Sequence, residues 1–184
     1  RAGRAAGRPG DGGKRAASFV LAHIHTVPGN AMDSLPERCG KIMNDNVALL
    51  QYISQNTEMG KSSIQQLIEV VKHEEFRRVI ESQYREYDEM YDLAHKALEK
   101  RHKEAKSVGP IAKISSYIMI NVNAIADGSV SSMAEMMMKG SNKGIIEITK
   151  HLNDIKEADP DVRRLAERLL KFEQNNVEQL KAYL

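Results

Sequence analysis

The sequence predicts an all-α protein, an antiparallel four-helix bundle with an additional short helix and polar groups at its centre. Apolar residues recur at helical spacing along four long segments of the chain. Aromatic residues make up only 5% of the chain and Trp is absent, which is typical of helical proteins rich in Leu, Ile, Met, Lys and Glu. Segments of about 25–30 residues joined mostly by short turns favour antiparallel packing.

Residues 1–32 differ in composition from the rest of the chain, and we predict that they are a disordered or non-native leader. They are rich in Gly and Pro, and they carry five basic residues against one acidic residue. A basic arm or an Arg-rich targeting peptide would be the functional alternatives. Of 27 basic and 25 acidic residues in all, 22 and 24 remain in 33–184, a net charge of −2. We expect residues 33–184 to form a single helical-bundle domain that does not bind nucleic acid.

The first long helix is predicted to begin at Asn44 or Asp45, both good N-cap residues, and to end near His73. Its apolar stripe is interrupted for about three turns. The stripe consists of Val47, Leu50, Ile53, Ile64, Leu67, Ile68 and Val71, and the interruption contains Ser54, Thr57, Gly60 and Lys61.

The second long helix is predicted from about Glu75 to Lys106, ending before a Ser-Val-Gly-Pro break at 107–110. Its apolar face is continuous but rich in Tyr. Because a buried Tyr hydroxyl needs a hydrogen-bond partner, these residues are able to serve a polar centre.

A short additional helix is predicted at 111–126, and a long helix follows from about Val130 to Lys156, capped by Ser129 or Ser131. Small and polar residues again occupy the middle of its inward face. The last helix begins at Asp159-Pro160, because Asp is a good N-cap and Pro is favoured in the first turn.

A polar centre is predicted because Glu173 and Asn176 lie on the apolar face of the last helix. Counted from the turn at Asp159, Glu173 lies about 14 residues one way and Ser141 about 18 the other way, so both fall near mid-bundle. A buried carboxylate needs a cation, a metal or hydrogen-bond donors. We expect an ion pair between Glu173 and Lys61. The predicted centre comprises Thr57, Lys61, Ser141, Glu173 and Asn176.

Two stretches, 132–144 and 169–176, carry a resemblance to a known family. Over roughly 42–184 the chain resembles the ferritin-like superfamily, and in particular its bacterial four-helix-bundle members of about this length. The resemblance implies a Glu on each of two helices and Glu-x-x-His on the two others, around iron or manganese. This chain departs from that pattern, because its last helix has Glu173-x-x-Asn176.

The departure leaves two functional hypotheses. The first is a non-enzymatic structural or interaction module with a degenerate metal site and no cofactor. The alternative is a metal-dependent (di-iron or manganese) oxidoreductase or a metal store. Its ligands would be Glu58, His95, Glu135 and Glu173, of which only Glu173 lies squarely on an inward face.

Further predictions concern partners and location. An apolar strip on the Met-rich helix favours a homo-oligomer. No nucleophilic or phosphate-binding motif is present, so the sequence offers no positive indication of an enzyme beyond the alternative metal site. The single Cys39 fits a reducing, cytoplasmic environment, and no apolar run reaches the roughly 20 residues of a membrane-spanning helix. The strip consists of Met136, Met138, Ile145 and Ile146.

Overall fold

A computed structural model describes residues 35–107 and 129–184. The predicted leader at 1–32 and the predicted short helix at 111–126 lie outside these ranges. By its internal contacts the chain divides into two units, residues 1–39 and 40–184. The contacts of the candidate site all lie within the second unit.

The described ranges are helical and contain no strand, so the predicted all-α class is confirmed for them. None of their helices is long and apolar enough to cross a membrane. They comprise α1 (Leu35–Val70), α2 (Glu74–Glu99), α3 (Val130–Asp154), α4 (Pro160–Leu180) and a final 3-10 turn (Lys181–Tyr183).

Helix α1 begins at Leu35, about nine residues earlier than predicted, so the expected start at Asn44 or Asp45 is wrong. Pro36 is tolerated there because the first turn of a helix does not use its backbone N–H groups. The neighbouring Asn46 is buried, and its Oδ1 accepts a hydrogen bond of 2.8 Å from the backbone N–H of Asp159. This part of the chain therefore lies inside α1, and Asn46 makes a tertiary contact with the start of α4.

Helix α2 ends at Glu99, seven residues before the predicted end at Lys106. His102 adopts a left-handed conformation with φ of 54°. The N–H of Lys103 donates to the carbonyl of Leu98, and the N–H of His102 donates to the carbonyl of Glu99, at 3.0 and 2.9 Å. This is a Schellman motif, in which the left-handed residue is usually Gly. Because His102 takes the place of this Gly, the sequence does not mark the end of α2.

The predicted boundaries of the last two helices agree with the structure to within a few residues. The side chain of Ser129 accepts a hydrogen bond from the N–H of Ser132 at the start of α3. Asp159 and Pro160 begin α4, but the Asp159 side chain makes no capping bond. It accepts instead from Arg101 at 2.7 Å, which connects the end of α2 to the start of α4.

All four helices contribute side chains to one core, and α4 packs against both α2 and α3. The burial of these apolar side chains is the main source of stability. The largest fully buried side chains are Phe76, Leu49, Leu50, Ile53, Ile64, Leu67, Ile80, Met90, Leu98, Met133, Ile148 and Leu169.

Candidate functional site

The centre of the candidate site is the carboxyl group of Glu173 on α4. The residue is only 2% exposed, between Leu169 and Asn176 on the buried face of the helix. A charged carboxylate in this position loses its hydration, so its neighbours decide whether it keeps the charge or binds a proton.

Three neutral side chains hydrogen-bond to this carboxyl group, one from each of the other helices. They are Asn56 on α1, Tyr87 on α2 and Ser141 on α3. The backbone of α3 also approaches closely at Gly144. A methyl group there would lie 2.9 Å from Glu173 Oε1 and 3.1 Å from Asn56 Nδ2. Glycine therefore leaves room for the carboxyl group against the helix.

Burial raises the pKa of Glu173 to about 7. The hydrogen bonds from Ser141, Tyr87 and Asn56 favour the charged form and offset only part of this effect. The carboxyl group therefore exchanges its proton near neutral pH, whereas an exposed Glu remains charged there.

Two tyrosines beside the carboxyl group stay protonated. Burial raises the pKa of Tyr87 well above its usual value, and the nearby charge of Glu173 raises it further. Burial also raises the pKa of Tyr52 to about 12. The Tyr52 hydroxyl donates to the carbonyl of Gly144 at 3.2 Å and accepts from Asn56 Nδ2 at 3.4 Å. Both phenols therefore act as hydrogen-bonding groups and not as phenolates.

Hydrogen bonding in this polar centre is incomplete. Within the described ranges, Glu173 Oε2, Asn56 Oδ1 and Asn176 Nδ2 are buried and have no hydrogen-bond partner. A buried unsatisfied polar atom costs roughly 1–3 kcal/mol. The centre therefore reduces stability, as is common where polar groups serve a function.

The expected ion pair between Glu173 and Lys61 is wrong. Lys61 donates instead to Asp88 on α2, and its ammonium group lies 4.5 Å from the ring centroid of Tyr91. Burial acts to lower the pKa of Lys61, but the hydrogen bond and charge of Asp88 outweigh it and raise the pKa. The rotation of α1 about its own axis places Lys61 on the flank of the helix. There the carboxylate of Asp88 on α2 is closer than that of Glu173.

The other predicted members of the polar centre are buried. Ser141 and Asn176 contact the Glu173–Tyr87 pair, each through its side chain. Thr57 is fully buried, but its hydroxyl donates to backbone carbonyls of its own helix, at Ile53 and Ser54. The Thr57 hydroxyl therefore uses its donor within α1 and offers none to the carboxyl group of Glu173.

The four alternative metal ligands do not converge. Glu58 accepts from Ser107 at 2.9 Å. The ring of His95 lies 4.0 Å from that of Tyr91 and bonds to Ser54. Glu135 is exposed and pairs with Lys139. Within 35–107 and 129–184, no group of three or more His, Cys, Asp or Glu side chains is placed to hold a metal ion. These residues do not fit a shared two-metal centre.

Sequence reasoning missed Asn56 and Tyr52, which both lie beside the carboxyl group. Their spacing with Gly60, at i, i+4 and i+8, marks a second inward face of α1. That spacing is the feature of the sequence that could have indicated their inward position. Because Asn and Tyr are also common on exposed faces, only the packing of α1 against α3 and α4 distinguishes them.

The chain was compared with family models, with curated proteins and with solved structures, and none of them matches. A functional proposal therefore depends on the geometry of the site.

Proposed function

We propose that this protein is a non-enzymatic ferritin-like bundle of antiparallel helices, cytoplasmic and homo-oligomeric, which acts as a structural or interaction module. The observation that carries the proposal is the set of neighbours of Glu173. The carboxyl group meets neutral hydrogen-bond donors, whereas Glu58, His95 and Glu135 have other partners. The centre of the bundle is thus a degenerate metal site.

Metal content distinguishes this proposal from a metal-dependent oxidoreductase or metal store. We expect far less than one iron or manganese ion per chain by plasma mass spectrometry, in protein purified without a chelator or a nickel column. The same result is expected after anaerobic loading with Fe²⁺, since an open two-metal site needs several converging carboxylate and imidazole ligands. Stoichiometric metal that is lost in Glu173→Ala would overturn the proposal and favour the alternative.

Self-association through α3 is the second part of the proposal. Ile146 is 54% exposed, the largest exposure of an apolar side chain on this helix within the described ranges. Met136 and Met138, also expected in the strip, are partly buried against the core. The proposed contact is therefore centred on Ile146, since an exposed large apolar side chain is typical of a contact surface.

We expect light scattering after size-exclusion chromatography to give a dimer or a larger oligomer. Ile146→Lys should produce a monomer, because a charge in an apolar contact has no partner. Leu93→Lys on α2, at a side chain that is 39% exposed, is the matched control and should leave the oligomer intact. A monomeric parent protein at high concentration would contradict this part of the proposal.

A further inference from the structure

A groove of about 640 Å³ runs between α2 and α4 and borders the polar centre at Asn176. Phe172 lines the groove and contacts Tyr87 edge to face, at 4.8 Å between ring centroids. Gln83, which is 2% exposed, also lines it. The lining of the groove therefore combines an aromatic ring with a buried amide group.

An amide pair crosses the groove between the two helices. Gln83 Nε2 donates to Gln179 Oε1 at 3.2 Å. Gln83 Oε1 is buried and has no hydrogen-bond partner in the part of the chain that the structure describes. The pair thus contains one unsatisfied acceptor, the buried Oε1 of Gln83, and the amide of the exposed Gln179 supplies a donor. A peptide unit has one N–H donor and one carbonyl acceptor, which is the complementary set.

Cationic side chains follow the groove along α4 at Arg164, Arg168 and Lys171. Arg168 pairs with Glu86 and Glu89 across the groove. Arg164 and Lys171, in contrast, have no ion-pair partner in 35–107 and 129–184. The other acidic side chain of the lining, Glu167, pairs with Arg163. With Arg163 included, these groups are four cationic and three acidic side chains, so the net charge at the groove is +1.

The length of the groove indicates the size of its ligand. Arg164 and Gln179 are 15 residues apart on one helix. At ~1.5 Å per residue this is about 22 Å, a distance that six or seven residues of extended peptide span at ~3.3 Å each. A small anion would reach one cation or the amide pair, but not all three positions.

We infer that the groove between α2 and α4 binds an extended acidic peptide segment of a partner protein. Carboxylates of the peptide pair with Arg164 and Lys171, and a peptide unit bonds to the Gln83–Gln179 amide pair. This inference rests on the proposed role as an interaction module and names the chemistry of a partner.

The test is NMR titration of the full chain with a synthetic octapeptide of alternating Glu and Ser, blocked at both ends. We expect millimolar binding, with amide shifts concentrated on α2 around Gln83 and on α4 from Arg164 to Gln179. A higher salt concentration should weaken the binding of the peptide, because the Debye length falls to about 3 Å at 1 M and charges are then screened from each other. The same length of alternating Lys and Ser should not bind.

Two variants separate binding from folding. Lys171→Glu should weaken binding by about tenfold, since like charges repel across an interface. Lys143→Glu, an exposed lysine on α3, is the control and should leave the affinity unchanged. Gln83→Met removes the buried acceptor. It should also lower the affinity but keep or raise the melting temperature, because an unsatisfied group is removed.

Several results would overturn the inference: no shifts with the acidic peptide, shifts outside the groove, or an unchanged affinity in Lys171→Glu. Equal binding of free glutamate at the same carboxylate concentration would show that the peptide unit is not recognised. Equal binding of a single-stranded oligonucleotide would indicate a nucleic acid in place of a peptide. The metal and light-scattering measurements test the proposed function separately. A failure of peptide binding in the groove can therefore be distinguished from a failure of the proposed function.

Discussion

Replacement of Glu173 by glutamine is expected to stabilise the protein by about 3 kcal/mol at alkaline pH and to change little near pH 4. Burial raises the pKa of this carboxyl group from 4.5 to about 7, and each pKa unit corresponds to about 1.4 kcal/mol. Glutamine has nearly the same shape and stays neutral at every pH, so it avoids the cost of the buried charge.

The direction of this pH dependence follows from the number of protons that the folded and the unfolded chain bind. Below pH 4.5 the carboxyl group is protonated in the folded and the unfolded chain, and the folded state has no charge penalty. Between pH 4.5 and 7 the unfolded chain loses this proton first, so the free energy of unfolding falls as the pH rises. Above the folded pKa the loss is complete. The Glu173→Gln variant lacks this loss.

Urea unfolding, followed by circular dichroism at about pH 4 and about pH 8.5, measures the difference between the two chains. Subtraction of the two free energies removes the contribution of the carboxylates that both chains share. Glu69→Gln, at an exposed side chain of α1, is the control for removal of a surface carboxylate, and we expect it to change the stability less than Glu173→Gln does at alkaline pH. A stability difference that is equal at both pH values would contradict the raised pKa.

Gly60→Ala is expected to destabilise the protein by about 2 kcal/mol, although alanine is the better helix former by about 1 kcal/mol. A methyl group at this position would lie 2.6 Å from two ring carbons of Tyr87. That ring is buried, contacts Phe172, and its hydroxyl belongs to the network around Glu173. The ring or the helix must therefore move, and overpacking of this kind costs about 1–3 kcal/mol.

Gly140→Ala provides a matched control for the helix-propensity gain. Gly140 also lies inside a helix, but a methyl group there would meet no atom within 4 Å. We expect this substitution to stabilise by up to about 1 kcal/mol. Thermal unfolding of both variants checks the pair. Stabilisation in both would show that α1 does not approach Tyr87 closely.

Helix content, the ends of α3 and α4 and the burial of Glu173 followed from local sequence. Periodicity places residues on one face of a helix, and Ser129 or Asp159-Pro160 marks where a helix begins, without any knowledge of its neighbours. The buried carboxyl group could be predicted for the same reason, because Glu173 shares a face with Leu169 and Leu180.

The tertiary structure alone decided the partners of these residues. Lys61 lies nearer to Asp88 than to Glu173, and Asn56 faces the carboxyl group, because partners depend on the rotation and depth of each helix against the next. Likewise, the groove between α2 and α4 exists only where two helices meet. Periodicity fixes the buried face of one helix to within about one residue, or ~100° of rotation, which is too coarse to choose among neighbouring side chains.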